Sequence, residues 1–293
     1  MTHHESTRIR DMGAMGVRTR VLEAGPADEE AVVFIHGAPG SANDWDYFLP
    51  RVGEFARAVA FDLVGFGRAD KPSYLGYSGP VWATFVQHVL NELGIRRVHL
   101  VANDLGGEAA THWAAAHPDA FASAALLNTG TLIRYRWHAI AQLSRLPVMG
   151  ALSVLFGGVL MRPALWLYEP RLPPGVLKRW HREYDWASRR AIRRFYRSGP
   201  IRVKSLVVDS MRRLDRPALV VWGARNQFVP PRHAEDQRRS FPRAEIVVLP
   251  DEGHYAHLRA PEVVGERLLP FLRAQVARQR KRHSAGGLKA VPQ

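Results

Sequence analysis

The chain has 293 residues, 46% of them apolar, enough for a substantial core and too many for a disordered chain. It contains no cysteine, which excludes a disulfide framework and any thiolate metal site. The formal charge is +14, but residues 131–213 hold 17 Lys/Arg against four acids and residues 273–293 hold six against none, so the basic charge is local.

The opening stretch "MTHHESTRIRDMG" lacks the apolar centre of a secretory signal, so a cytoplasmic chain is expected. From there, short β-rich runs alternate with helical patterns, the signature of a mostly parallel sheet flanked by helices. Strands are expected at Val17 to Ala24, Ala31 to Ile35, Val59 to Phe61, Val98 to Val101, Ala122 to Leu127, Ala218 to Trp222 and Glu245 to Leu249. Helices are expected at Pro80 to Leu93, where Val81, Phe85, Val89 and Leu93 share a face, and at Leu105 to Ala116. A last helix runs from Pro261 to Ala277, and Pro270 is expected to kink it or end its regular part.

Residues 131–213 have a different texture, helical, aromatic and arginine-rich with no clear strand. They read as a helical cap inserted between two parts of an α/β core, 1–130 and 214–277. Residues 278–293 read as a basic, flexible tail. The uncharged stretch from Leu146 to Met161 is too short for a convincing transmembrane helix. It is expected to line the inner face of the cap. The alternative is an interfacial helix, flanked by Arg145 and Arg162, that touches a membrane surface. No nucleic-acid motif accompanies the basic charge, so a solvated basic face and no nucleic-acid partner are expected.

Four stretches fall in one order, each at a strand end. "HGAPG" after the second strand contains Ala38, whose amide can point into a cleft. "DLVGFG" forms a glycine-rich loop. "ANDLG" places Asp104 at a sharp turn between a buried strand and a helix. "PDEGHYAH" offers His254 after the last strand. The plain alternative for Asp104 is an aspartate capping the helix that follows.

In these motifs the chain resembles the α/β-hydrolase fold, and within it the branch of epoxide hydrolases and haloalkane dehalogenases. The resemblance implies that Asp104 is a nucleophile, that His254 is the base, and that the amides of Ala38 and Leu105 form an oxyanion hole. A carboxylate nucleophile suits in-line attack on a saturated carbon, giving an alkyl ester that water can then cleave. The expected partner is a small hydrophobic electrophile, with neither metal nor cofactor. Dehalogenases of this branch present side-chain N–H groups to the halide, but Leu105 and Ala38 carry none. "RRFYRSG" resembles the tyrosine segment of epoxide hydrolase caps, which assigns Tyr196 as proton donor to the opening ring. Tyr168, Tyr135 and Tyr184 are candidates for the second tyrosine of that family. An epoxide hydrolase-like activity is therefore expected, with a dehalogenase or a catalytically silent binding protein as alternatives.

One departure stands out. The family places an acid after the fifth or sixth of these strand positions to support the histidine. Here the two positions are Asn128 and Asn226. Three readings follow: Asp251 or Glu252, the acids nearest His254 in sequence, serves instead; the enzyme is slow or performs only half of the chemistry; or catalysis is lost and a binding pocket is kept.

Overall fold

The computed structural model describes residues 7–132, 135–198 and 205–287, so residues 1–6 and the end of the expected tail, 288–293, lie outside the described residues. The strands are β1 (Arg8–Ala14), β2 (Val17–Ala24), β3 (Glu30–Ile35), β4 (Arg57–Phe61), β5 (Arg97–Asn103), β6 (Phe121–Leu127), β7 (Ala218–Gly223) and β8 (Glu245–Leu249). They form one sheet in the order β1-β2-β4-β3-β5-β6-β7-β8. The β1/β2 and β2/β4 pairs are antiparallel, and every later pair is parallel.

The central strands are buried almost throughout, which explains their continuous apolar runs. Successive residues serve opposite faces: Val33 and Ile35 join one core cluster, Val32 and Phe34 the other. The first cluster is covered by α2 (Gly79–Glu92), α3 (Leu105–Ala116) and α8 (Ser205–Leu214), and the second by α1 (Phe48–Gly53) and α11 (Pro261–Gly287).

Three features differ from the expected elements. β1 was not anticipated, because Arg8–Ala14 is a largely exposed edge strand without an apolar run. It joins β2 through Met15 and Gly16, both at positive φ, as a tight hairpin turn requires. Pro270 lies inside α11 and does not end it, which excludes one of the two effects expected there. It lies on the exposed side, where the carbonyl it leaves unpaired can be hydrated, while Val264, Leu268, Leu272 and Val276 hold one face in the core. The same helix continues to Gly287, past the expected end at Ala277.

Between β6 and β7 the chain forms α4 (Ala139–Arg145), α5 (Pro147–Tyr168), α6 (Pro174–Glu183) and α7 (Trp186–Arg197) before α8 returns to the core. This layer is fixed by polar contacts with buried partners. Arg179 and the Trp180 indole N–H both reach Asp44 Oδ1, at 2.6 and 3.0 Å. Trp180 is fully buried and packs edge-on against Tyr255. Two shorter helices, α9 (Arg232–Asp236) and α10 (Ala256–Arg259), complete the fold.

The sheet order reverses at β3, which lies between β4 and β5. Diverging connections at such a switch leave a crevice beyond the strand ends. Ala38 follows β3 and Asp104 follows β5, so both candidates open onto it. The turn after β5 is tight because α3 starts directly against β3. A Cβ on Gly106 would come within 2.3 Å of the Ile35 carbonyl oxygen and 2.7 Å of that of His36. Gly106→Ala is therefore expected to destabilise the fold by about 1–3 kcal/mol through overpacking, measured by urea denaturation.

Candidate active site

Asp104 follows β5 at φ 49° and ψ −125°, a conformation costly for a residue with a side chain. The turn is tied down by its backbone: the Gly107 N–H and the Thr129 hydroxyl both donate to the Asp104 carbonyl, at 3.0 and 2.5 Å. Although Asp104 precedes α3, its side chain makes no capping hydrogen bond to the helix. The carboxylate points into the crevice instead. Oδ1 accepts from the Ala38 amide at 3.0 Å, and Oδ2 lies 3.1 Å from His254 Nε2. Burial alone would raise the pKa of this carboxyl. The hydrogen bond and charge of His254, with the amides of Ala38 and Leu105, outweigh burial and hold it below the usual range.

His254 follows β8 and is almost fully buried, between the rings of Phe228 and Tyr255. Its Nδ1 is buried with no hydrogen-bond partner among the described residues. The two asparagines in the family's acid positions do not reach it; they clip strand ends together. Asn128 donates to the carbonyls of Gly253 and His254 at 3.2 and 2.9 Å and accepts from the Gly223 amide at 2.8 Å. Asn226 donates to Asn128 Oδ1 at 3.0 Å and accepts from the amides of Phe228 and Val229. The expected substitute acids are engaged elsewhere. Asp251 pairs with Arg225 at 2.6 Å on the surface, and Glu252 is bound by Arg259. Both are turned to arginine partners, and neither forms a hydrogen bond to His254.

A second carboxyl group, besides that of Asp104, meets His254 from the insertion. Glu169, just past the end of α5, is buried and accepts the His254 backbone N–H. Burial raises its pKa, opposed by that hydrogen bond and by the charges of His254 and Arg259. Glycine at 253 makes the approach feasible, since a Cβ there would lie 2.4 Å from a Glu169 oxygen. Sequence reasoning missed Glu169. One signal was present: it is the sole acid between Asp119 and Glu183, set in the apolar run "LWLYEP".

Above these groups lies a cavity of about 340 Å³ between the sheet and the insertion. Asp104, His254 and Ala38 form its floor, and α5 contributes a wall that includes Leu152, Met161 and Leu165. Tyr196 lines it, as does Tyr184; Tyr168 is stacked on Phe228 instead, outside the cavity lining. Burial and the nearby Asp104 charge push the Tyr196 phenol well above its ordinary pKa, so it carries its proton at neutral pH. A second donor was not anticipated. His138, at the start of α4, accepts the Ala141 amide at Nδ1, which places the proton of the neutral ring on Nε2. Burial lowers its pKa to about 4, so the ring is neutral at pH 7 and lines the same cavity. Among the described residues no cluster of three or more His, Asp or Glu is arranged to hold a metal.

The Alpha/beta hydrolase family model matches residues 32–267, and the chain belongs to that family. It is 28% identical, over 93% of its length and 98% of the relative's, to a 2-hydroxy-6-oxononadienedioate/2-hydroxy-6-oxononatrienedioate hydrolase of Paraburkholderia phymatum. It is 27% identical, over 90% and 93%, to a cis-3-alkyl-4-alkyloxetan-2-one decarboxylase of Xanthomonas campestris pv. campestris. Among solved structures it is similar to a haloalkane dehalogenase from Bradyrhizobium elkanii (TM-score 0.80, 21% identity, 95% of this chain and 100% of that one). It is also similar to an epoxide hydrolase from Vigna radiata (TM-score 0.77, 17% identity, 94% and 100%). The chain is thus an α/β-hydrolase whose fold is that of the dehalogenase and epoxide hydrolase branch.

The asparagine pair generates a test. An aspartate at 226 would set an oxygen against Asn128 Oδ1, where an N–H now donates. Asn226→Asp is expected to lower stability by about 1–3 kcal/mol in urea melts, with no gain in turnover. A faster enzyme would show that position 226 can serve His254 after all.

Proposed function

We propose that the protein is a cofactor-independent hydrolase in which Asp104 attacks an electrophilic saturated carbon, with an epoxide as the preferred electrophile. The observation that carries the reading is the Asp104 carboxylate itself: ionised, with Oδ1 on the Ala38 amide and Oδ2 beside His254. Oδ2 forms the bond to carbon as the ring C–O bond breaks, and the alkoxide takes the Tyr196 proton. The product is an ester on Asp104. Water then gives a proton to His254 Nε2 as its oxygen adds to Asp104 Cγ. The oxyanion so formed stays on the amides of Ala38 and Leu105. Collapse breaks the Cγ–O(alkyl) bond and releases the diol; the proton on Asp104 leaves with the diol, and that on His254 restores the Tyr196 phenol.

The cavity supports an apolar substrate, since aliphatic side chains of α5 form a wall of it. A helical cap formed by residues 131–213 would exclude water around the nucleophile. The site also favours an oxygen leaving group over a halide: the cavity holds phenol and imidazole donors, while positions 38 and 105 lack the side-chain N–H groups of dehalogenases. A second reading follows from the oxetanone-decarboxylase relative, with which the chain shares nearly its full length. A dialkyl oxetanone is also a strained ring with a saturated C–O carbon open to a carboxylate.

Intact-protein mass spectrometry tests these readings together, using epoxides, alkyl bromides and oxetanones of matched chain length. Epoxides are expected to turn over fastest, with an adduct on wild type and none on Asp104→Ala. Tyr196→Phe should slow epoxide opening by about 10²–10⁴, the range for loss of general acid catalysis, and leave bromide displacement nearly unchanged. An adduct that survives Asp104→Ala would refute the nucleophile. Bromide turnover above that of epoxides would make the protein a dehalogenase.

Glu169 enters the reading as a positioning residue that holds His254 and balances its charge during ester hydrolysis. Glu169→Gln keeps an oxygen for the His254 N–H and removes the charge. The variant is expected to alkylate at the wild-type rate and to accumulate ester, because only the second step puts a positive charge on His254. Since burial raises the Glu169 pKa, its ionised form is present above that raised value and lost as pH falls through it. Ester hydrolysis should therefore fall on the acid side in wild type, and that limb should change in Glu169→Gln. Equal second-step rates and pH profiles for the two proteins would reduce Glu169 to a structural contact.

A further inference from the structure

The outer side of α5 carries a contiguous apolar stripe. Val148, Leu155, Val159 and Trp166 recur at helical spacing and are exposed, Val159 at 75% and Trp166 at 71%. Leu152, Phe156 and Leu167 widen the stripe, and Leu143 and Leu146 extend it beyond the helix start. With 22 residues, α5 is about 33 Å long, and it has the length and composition of a membrane span while only 22% of its apolar window is buried. A stripe of this extent on a water-facing helix marks an interaction surface.

Its surroundings say what kind. The single charged residue within α5 is Arg162, and Arg145 precedes the helix. Arg189 and Arg193 of α7 lie alongside and donate to the carbonyls of Leu155 and Pro147, at 3.1 Å each. Arg194 and Arg197 are exposed on the same helix. A second copy of this face would bring these guanidinium groups against their own counterparts, whereas an anionic lipid surface supplies the opposite charge. The cavity adds an independent observation. Leu143, Met149, Leu152 and Leu160 are both exposed members of the patch and cavity-lining residues, so the cavity's rim is part of the stripe.

We propose that the α5 face and its arginine rim dock the protein on the surface of an anionic bilayer, with α5 lying in the interfacial plane. Docked this way, the mouth of the cavity meets the acyl region, and a lipophilic substrate passes from the bilayer to Asp104 without crossing water; this last step alone rests on the proposed function. Docking is read without substrate, so its outcome is separate from that of the Asp104 chemistry.

The experiment is flotation of the full chain with vesicles of phosphatidylglycerol and phosphatidylcholine, and with phosphatidylcholine alone. Binding is expected on the anionic vesicles, reduced roughly tenfold on neutral ones and by high salt. Tryptophan emission should shift to the blue on binding, with the shift lost in Trp166→Phe. Leu155→Glu combined with Val159→Glu, two positions outside the cavity lining, should abolish flotation while turnover of a water-soluble substrate is retained. Far-UV circular dichroism checks that the double variant is folded, and Leu155→Ser with Val159→Ser offers a milder pair that should weaken binding in the same direction. Wild type that fails to float, or a glutamate variant that floats equally, overturns the proposal. So does a wild-type dimer that the double variant converts to monomer, since a second copy then covers the face.

Discussion

The backbone of Asp104 at φ 49° is the constraint from which the rest of the site follows. A strained turn of about 1–3 kcal/mol persists only where its surroundings over-determine it. Here β5 on one side and α3 on the other leave little alternative, and the Asp104 carbonyl is held by both Gly107 and Thr129. The strain turns the carboxylate away from the helix end, where an aspartate ordinarily rests, and into a crevice with a backbone amide and an imidazole. Geometry and charge thus agree: the same turn that exposes the carboxylate also gives it the partners that keep it ionised.

The acid beside His254 lies elsewhere than its strand neighbours suggest. Asn128 and Asn226 tie β6, β7 and the His254 loop together through six hydrogen bonds. Such a fully satisfied buried network tolerates a new charge poorly. A carboxyl group on the backbone side of His254 comes instead from Glu169, 85 residues away in sequence, which accepts the His254 N–H.

Much of this was legible in the chain, and the reasons are local. Buried parallel strands write continuous apolar runs, so β3, β5, β6 and β7 stand out, and the helix starting at Leu105 is bounded by its own turn. Asp104, Ala38 and His254 are each within a few residues of a strand end, so order along the sequence carries over to proximity in space. Glu169 has no such marker: its position depends on how an irregular insertion folds back on the core. The apolar run of α5 was expected to line the inside of the insertion, and it does so with Met161 and Leu165, but a helix apolar all round has a second face to account for. β4 extends two residues before the expected Val59 because it begins with Arg57, an arginine buried with its ion-pair partner Glu23.

The origin of Glu169 limits how this scaffold can be rebuilt. Insertions between β6 and β7 look like exchangeable parts, since both borders fall in connections at one edge of the crevice. In this chain, replacing the segment wholesale also removes the Glu169 carboxyl that accepts the His254 backbone N–H, so a transplanted insertion must bring its own partner for that N–H together with a new pocket. Diversification is thereby channelled into side-chain changes along α5 and α7, with the 164–172 segment kept. The alternative order is to install an acid at a strand end first, which means dismantling the asparagine clip before any new insertion arrives.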